Sequence, residues 1–176
     1  WLAWLCLTII FMVYYLVVDG SWDTFETLMQ STAPGNDGLI GFSFDFPEIT
    51  PPVLQTGEFY FNASSRAAVE PGSVTAAQKV RAVIESQALS MRLNASKSGI
   101  TDITRIVVTG GASENQCIIQ VIADVFGAQI VSIAQKDSAS IGAAFRAAWA
   151  LHRQTDATVA FHDVIGKSIE YKVRCV

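Results

Sequence analysis

The chain has 176 residues, 51% of them hydrophobic, with a net charge of −4 and a pI near 5.1; that is enough for one domain with a real core. Lysine and arginine are scattered rather than gathered in a basic stripe, which argues against nucleic acid as the main partner. The cysteines Cys6, Cys117 and Cys175 are far apart, form no CxxC and have no histidine close by; this argues against a disulfide framework or a structural zinc site and fits a reducing, cytoplasmic compartment.

The chain opens on Trp1 rather than Met, and the expectation is a piece of something longer. Its first stretch, WLAWLCLTIIFMVYYLVV (residues 1–18), carries no charge. As a helix it would span roughly 27 Å, just short of a bilayer core. No Lys or Arg flanks it to orient a membrane span, and its β-branched and aromatic content suits two buried strands equally well. Membrane helix, core strands and a segment foreign to the rest all stay open for residues 1–18.

After Gly20, SWDTFETLMQST reads as a short helix with Ser21 or Asp23 as cap and Phe25, Leu28 and Met29 on one side. Turn residues cluster at Pro34 to Gly38, and Phe42, Phe44 and Phe46 alternate, which would set all three on one face of an extended strand. Residues 53–72 read as an irregular surface loop. From Val74 to Ser96 the pattern is the strongest helix of the chain. Thr75 and Gln78 fit a capping box, Val80, Val83, Ile84, Ala88, Met91 and Leu93 form its apolar side, and Gly99 stops it.

The segment RIVVTGGASENQCIIQVIADVFG (residues 105–127) combines a β-branched run, two adjacent glycines and a helical apolar face at Ile118, Ile119, Ile122, Val125 and Phe126. Ser113 and Gln116 repeat the capping-box spacing, so the helix is expected from Ser113. The glycine pair then sits at a strand-to-helix turn. There backbone can approach a ligand, and the following helix offers free N–H groups and a positive dipole end to a phosphate or ribose. The competing reading of Gly110 and Gly111 is a tight turn and nothing more. A strand at 129–133 and a final helix from Ser138 to His152, rich in small residues, complete the pattern; residues 153–176 read as a tail. The order implies an α/β layered domain. There is no GxGxxG, GxxxxGK[ST], GxSxG or HExxH, and no activated nucleophile or base with a partner.

The blocks VRAVIESQALSMR and VVTGGASENQCIIQVIADVFGAQIVSIAQKDSASIGAAFRAAWAL resemble the carboxy-terminal lobe of the FGGY carbohydrate kinases. SWDTFETLMQSTAPGNDGLIGFSFDFPEITPP narrows the resemblance to their eukaryotic xylulokinase branch. The resemblance covers about residues 21–151 and fails before Ser21. It implies an α/β, actin-like ATPase (ribonuclease H-like) domain, partial, with a mixed sheet and flanking helices. In domain terms, an apolar segment (1–18) precedes an incomplete ATP-binding lobe (19–152) and a tail (153–176).

By the same resemblance Gly110 and Gly111 belong to the family's adenosine motif, Glu114 and Asn115 lie beside the adenosine, and Trp22 stands where such kinases place an aromatic near the nucleotide. Trp22 as a core or lid aromatic, and Glu114 as an acid favoured by a helix start, remain the alternatives. ATP and Mg²⁺ are the implied cofactors and a ketose, D-xylulose, the implied substrate; glycerol, gluconate or ribulose kinases and a membrane-tethered nucleotide-binding module are the rivals. The family's catalytic aspartate and phosphate motif have no match in these residues. No catalytic and no metal residue is therefore named, and the isolated chain is expected to be inactive.

Overall fold

The computed structural model describes residues 20–44, 46–49, 52–133, 137–166 and 171–175. The apolar opening lies outside the described residues, and no helix among those described is long and apolar enough to cross a membrane. Two compact units are present. One comprises described residues up to Asp102 together with Asp124–Phe126; the other comprises Ile103–Ala123 and the residues from Gly127 on.

The first unit begins with helix α1 (Trp22–Gln30), started by Ser21, whose hydroxyl accepts the Thr24 amide at 3.2 Å. One helical turn apart, Phe25 and Met29 are its buried residues, and Leu28 is only half-buried. Gly35, Asn36, Asp37 and Gly38 follow with φ of 82°, 50°, 53° and 79°, four left-handed residues in a row. Strand β1 (Leu39–Phe44) then runs antiparallel to a later strand, with the pairs β2 (Glu48–Ile49) and β3 (Pro52–Val53) between them.

That later strand is β4 (Gly57–Asn62), which in turn pairs with β5 (Ala68–Val69). Residues 53–72 are thus not an irregular loop. Phe59 and Phe61 share one face of β4 and Glu58, Tyr60 and Asn62 the other, yet the buried residue is Tyr60, so the alternation in sequence points to the wrong face. Phe42 and Phe44 do share a face, their rings stacked at 6.5 Å, but β1 ends at Phe44 and Phe46 lies beyond it.

Helix α2 (Ala76–Lys97) carries the expected capping box, with Gln78 N donating to Thr75 Oγ1 at 3.3 Å and Thr75 N to Gln78 Oε1 at 3.1 Å. Val80, Val83, Ile84 and Ala88 are buried as its periodicity requires, whereas Leu93 is exposed. Tyr60, Val74 and Ala82 form a buried cluster with Leu39 and Val69 against it. Glycine at 41 is what lets that layer close: a Cβ there would stand 2.6 Å from the Tyr60 ring and 2.9 Å from the Ala82 Cβ.

The second unit is a mixed sheet. Strands β6 (Arg105–Val108) and β7 (Gln129–Ile133) are parallel, and β8 (Tyr171–Cys175) pairs antiparallel to β7. Helix α3 (Gln116–Phe126) makes the crossover that parallel strands need. Ile119, Ala123 and Ile130 are the core, with Ile106, Val108 and Ile122 packed against it. Gly127 ends α3 in the left-handed conformation, at φ 62°. Helix α4 (Ser138–Thr155) has no buried residue; at its far end Trp149 meets Phe161 of α5 (Phe161–Ile165) edge-on at 5.9 Å. The segment read as a tail therefore supplies a helix and the third strand. Its partner strand lies about 40 residues earlier, a pairing that no local pattern announces.

Candidate functional site

Because β6 and β7 are parallel, their carboxyl ends lie on one edge of the sheet, where ligands of open α/β sheets bind. Two strand-to-helix connections leave that edge, and the glycine pair is in the first. Gly110 has φ 88°, a conformation that L side chains resist, and a Cβ built on it would meet nothing within 4 Å. The glycine is thus required by the backbone and also faces open space. Gly111–Glu114 forms a single 3₁₀ turn, with the Ser113 amide (3.0 Å) and hydroxyl (2.6 Å) both donating to the Gly110 carbonyl.

That hydroxyl bond explains why Ser113 does not cap the helix as its spacing suggests. Asn115 is the cap: its Oδ1 accepts the Cys117 amide at 3.0 Å and the Ile118 amide at 3.2 Å, and the residue is buried. Two of the amides expected to be free at this helix start are therefore held by Asn115. Glu114 lies one residue ahead of the cap, in the 3₁₀ turn rather than in the first turn of α3. Its side chain is exposed, and its carbonyl accepts from Arg174 Nη2 of β8 at 3.3 Å.

The second connection reaches the same place. Thr109 Oγ1 and Ser138 Oγ are 2.7 Å apart, which ties the end of β6 to the first residue of α4. Asp137, at φ 60°, precedes α4 without a side-chain capping bond. Thr109 and Ser138 were not anticipated as site residues. They are 29 residues apart and nothing in either local pattern couples them, although a hydroxyl directly before a glycine pair is a usable hint.

Gly110, Gly111, Glu114 and Asn115 thus share one turn. Trp22 belongs to the first unit, where it opens α1, is 40% exposed and packs edge-to-face on Phe25 at 5.4 Å. The turn is a backbone-lined seat edged by hydroxyls, suited to hold a flat or polyhydroxylated group. No group of three or more His, Cys, Asp and Glu among the described residues could hold a metal ion.

Comparison with known proteins identifies the family. Residues 51–151, more than half of the chain, match the model of the FGGY family of carbohydrate kinases, C-terminal domain. Xylulose kinase of Mus musculus is 42% identical over 148 residues, covering 82% of this chain and 25% of its own length. Xylulose kinase 2 of Arabidopsis thaliana is 39% identical over 138 residues, covering 74% and 25%. The chain thus spans about a quarter of the length of these curated relatives. Among solved structures, ligand-bound xylulose kinase from Lactobacillus acidophilus superposes with a TM-score of 0.69 at 19% identity, over 95% of this chain and 33% of that one. Plasmodium falciparum glycerol kinase with ADP gives 0.59 at 16%, over 88% and 29%. These likenesses carry the fold, the actin-like ATPase type with a mixed sheet and flanking helices. The chain belongs to the FGGY family of carbohydrate kinases and corresponds to part of its C-terminal domain.

Proposed function

We propose that this chain is the nucleotide-binding part of an ATP-dependent sugar kinase, and that the sugar is D-xylulose. The observation that carries the nucleotide half is the open face at Gly110, on the carboxyl edge of a parallel strand pair. The sugar half rests on relatives named xylulose kinases at 42% and 39% identity. In this reading adenosine lies against Gly110 and Gly111, and Glu114 and Asn115 border it. ATP supplies the γ-phosphoryl group, and Mg²⁺ accompanies its phosphates.

The task of these residues is to bind and orient. Gly110 keeps side-chain atoms off the ligand face, and Asn115 holds the helix start so that the turn keeps its shape. Thr109 and Ser138, bonded to each other, tie the end of β6 to the start of α4 beside the turn. Phosphoryl transfer depends mainly on such positioning and on charge stabilisation. Proton removal from the sugar hydroxyl falls to a carboxylate outside these residues, and the site belongs in the cytoplasm with its soluble substrates.

The test is coupled ADP release by the intact kinase carrying this chain, with D-xylulose, glycerol, D-ribulose and gluconate in parallel. Strong preference for D-xylulose is the expected outcome; ADP release that no sugar stimulates would overturn the kinase reading. For the site itself, Gly111→Val is expected to abolish ATP binding by setting a branched side chain where backbone meets ligand. Unchanged ATP affinity in the folded variant would remove the glycine turn from the site.

A further inference from the structure

The last strand of the chain reaches the glycine turn through one side chain. Arg174, half-buried on β8, donates from Nη2 to the Glu114 carbonyl at 3.3 Å, across 60 residues of chain. Strand and turn both belong to the second unit. The pairing of β8 with β7 shows why a strand residue can reach so far. Ile130 pairs with Cys175 and the next residue, Val131, with Val173, so Arg174 is the extra residue of a β-bulge and has no partner opposite it in β7. Bulges bend a strand and re-aim the side chain they carry, and they recur beside functional sites.

The carbonyl that Arg174 takes is also particular. Glu114 closes the 3₁₀ turn that follows Gly110 and stands directly before the cap of α3. A helix running back through Glu114 would give this carbonyl the Ile118 amide. Here that amide goes to Asn115 Oδ1 at 3.2 Å, and the guanidinium answers the carbonyl instead. Bonds from a charged donor are stronger than neutral ones. The turn is thus held by Ser113 on the Gly110 carbonyl, by the Asn115 cap and by Arg174. The first two lie within residues 110–118, whereas Arg174 ties the turn to a different strand.

We infer that Arg174 is a positioning residue for the nucleotide: from the bulge of β8 it fixes the Glu114 end of the turn. It does so from outside the residues 51–151 that match the family. This rests on the reading of the glycine turn as the adenosine seat, so the experiment includes Gly111→Val to test that reading separately. Steady-state kinetics of the intact kinase would be measured for Arg174→Met, which keeps an apolar stem and loses the donors, and for Arg174→Lys, which keeps a charged donor. Arg174→Gln replaces the Met variant if that one fails to fold.

The expected result for Arg174→Met is a rise of about three- to ten-fold in the KM for ATP, with kcat and the KM for the sugar held within about two-fold. Arg174→Lys should recover a large part of that rise. An unchanged KM for ATP in Arg174→Met, beside a Gly111→Val variant that no longer binds ATP, would overturn the inference. So would a rise shared equally by the sugar KM, which marks general loosening, or a Lys variant no better than Met. If folded Gly111→Val keeps its ATP affinity, the seat itself is misplaced and the nucleotide reading falls first.

Discussion

Helices α2 and α4 are similar in length, 22 and 18 residues, yet they are held in opposite ways. α2 starts on a complete capping box, buries seven of its residues and carries the Arg81–Glu85 pair. α4 starts after a left-handed aspartate with no capping bond and buries none among the described residues. The difference lies in what each helix supports. α2 backs a sheet and fixes neighbours through its buried face, whereas α4 contributes its first turn to the edge where Thr109 and Gly110 stand. Site-forming segments tend to be the less firmly packed ones, because their exposed groups must stay available to a ligand.

The contrast is broken most directly by truncating matched side chains. Ile84→Ala, at 3% exposure on α2, should cost about 2–5 kcal/mol in denaturant unfolding. Leu151→Ala on α4, at 66% exposure, should change stability by less than about 0.5 kcal/mol. Equal costs would mean that α4 is packed as firmly as α2.

A smaller effect sharpens the same point through pH. Tyr60, under α2, has its phenol pushed up from 10.0 to about 12, chiefly by burial and then by the Glu58 carboxylate beside it. The folded state holds this proton above the pH at which the unfolded chain releases it. Its contribution is therefore complete below pH 10 and is lost as pH climbs towards 12, roughly 2–3 kcal/mol in all. Alkaline unfolding of Tyr60→Phe should lack that component; an identical pH profile would show that Tyr60 ionises freely in the fold.

The smallest effects concern the two starts. Thr75→Ala should cost about 1 kcal/mol by removing the cap of α2. Asp137→Gly should be neutral or stabilise by up to about 1 kcal/mol, because glycine accepts φ 60° without strain and no capping bond is lost. Destabilisation by Asp137→Gly would reveal a role for that carboxylate at the start of α4.

Much of the local pattern was readable in advance. The capping box at Thr75, the strand at 129–133 and the strand–glycine–helix order all come from signals a few residues long, and the structure repeats them. What escaped depends on partners far along the chain. β4 faces α2 with Glu58 and Tyr60, and β8 pairs with a strand some 40 residues earlier, so neither shows a pattern of its own. The bonds of Arg81 were equally hidden, since three of its four acceptors, two of them backbone carbonyls, lie about 50 residues earlier. At the site, Ser113 and Asn115 were rival caps two residues apart, both of favoured type. The choice fell to Asn115 because the Ser113 hydroxyl is engaged by the Gly110 carbonyl.

The left-handed run Gly35–Gly38 also bears on the order of folding. Two of its members, Asn36 and Asp37, carry a Cβ in a conformation that costs roughly 1–2 kcal/mol per residue when nothing holds it. What holds it comes from other elements: Glu85 accepts from Gly35, the buried Asn36 donates to the Gln78 carbonyl at 2.9 Å, and Ala63 donates to the Gly38 carbonyl at 2.7 Å. The turn also has local bonds, from Asn36 N to the Ala33 carbonyl at 3.0 Å and from Gly38 N to the Gly35 carbonyl at 2.8 Å, but the distant partners are complete only once α2 and β4 are in place. Removing the distant hold with Asn36→Ala is therefore expected to quicken unfolding more than it slows refolding, which stopped-flow measurement of both rates would check.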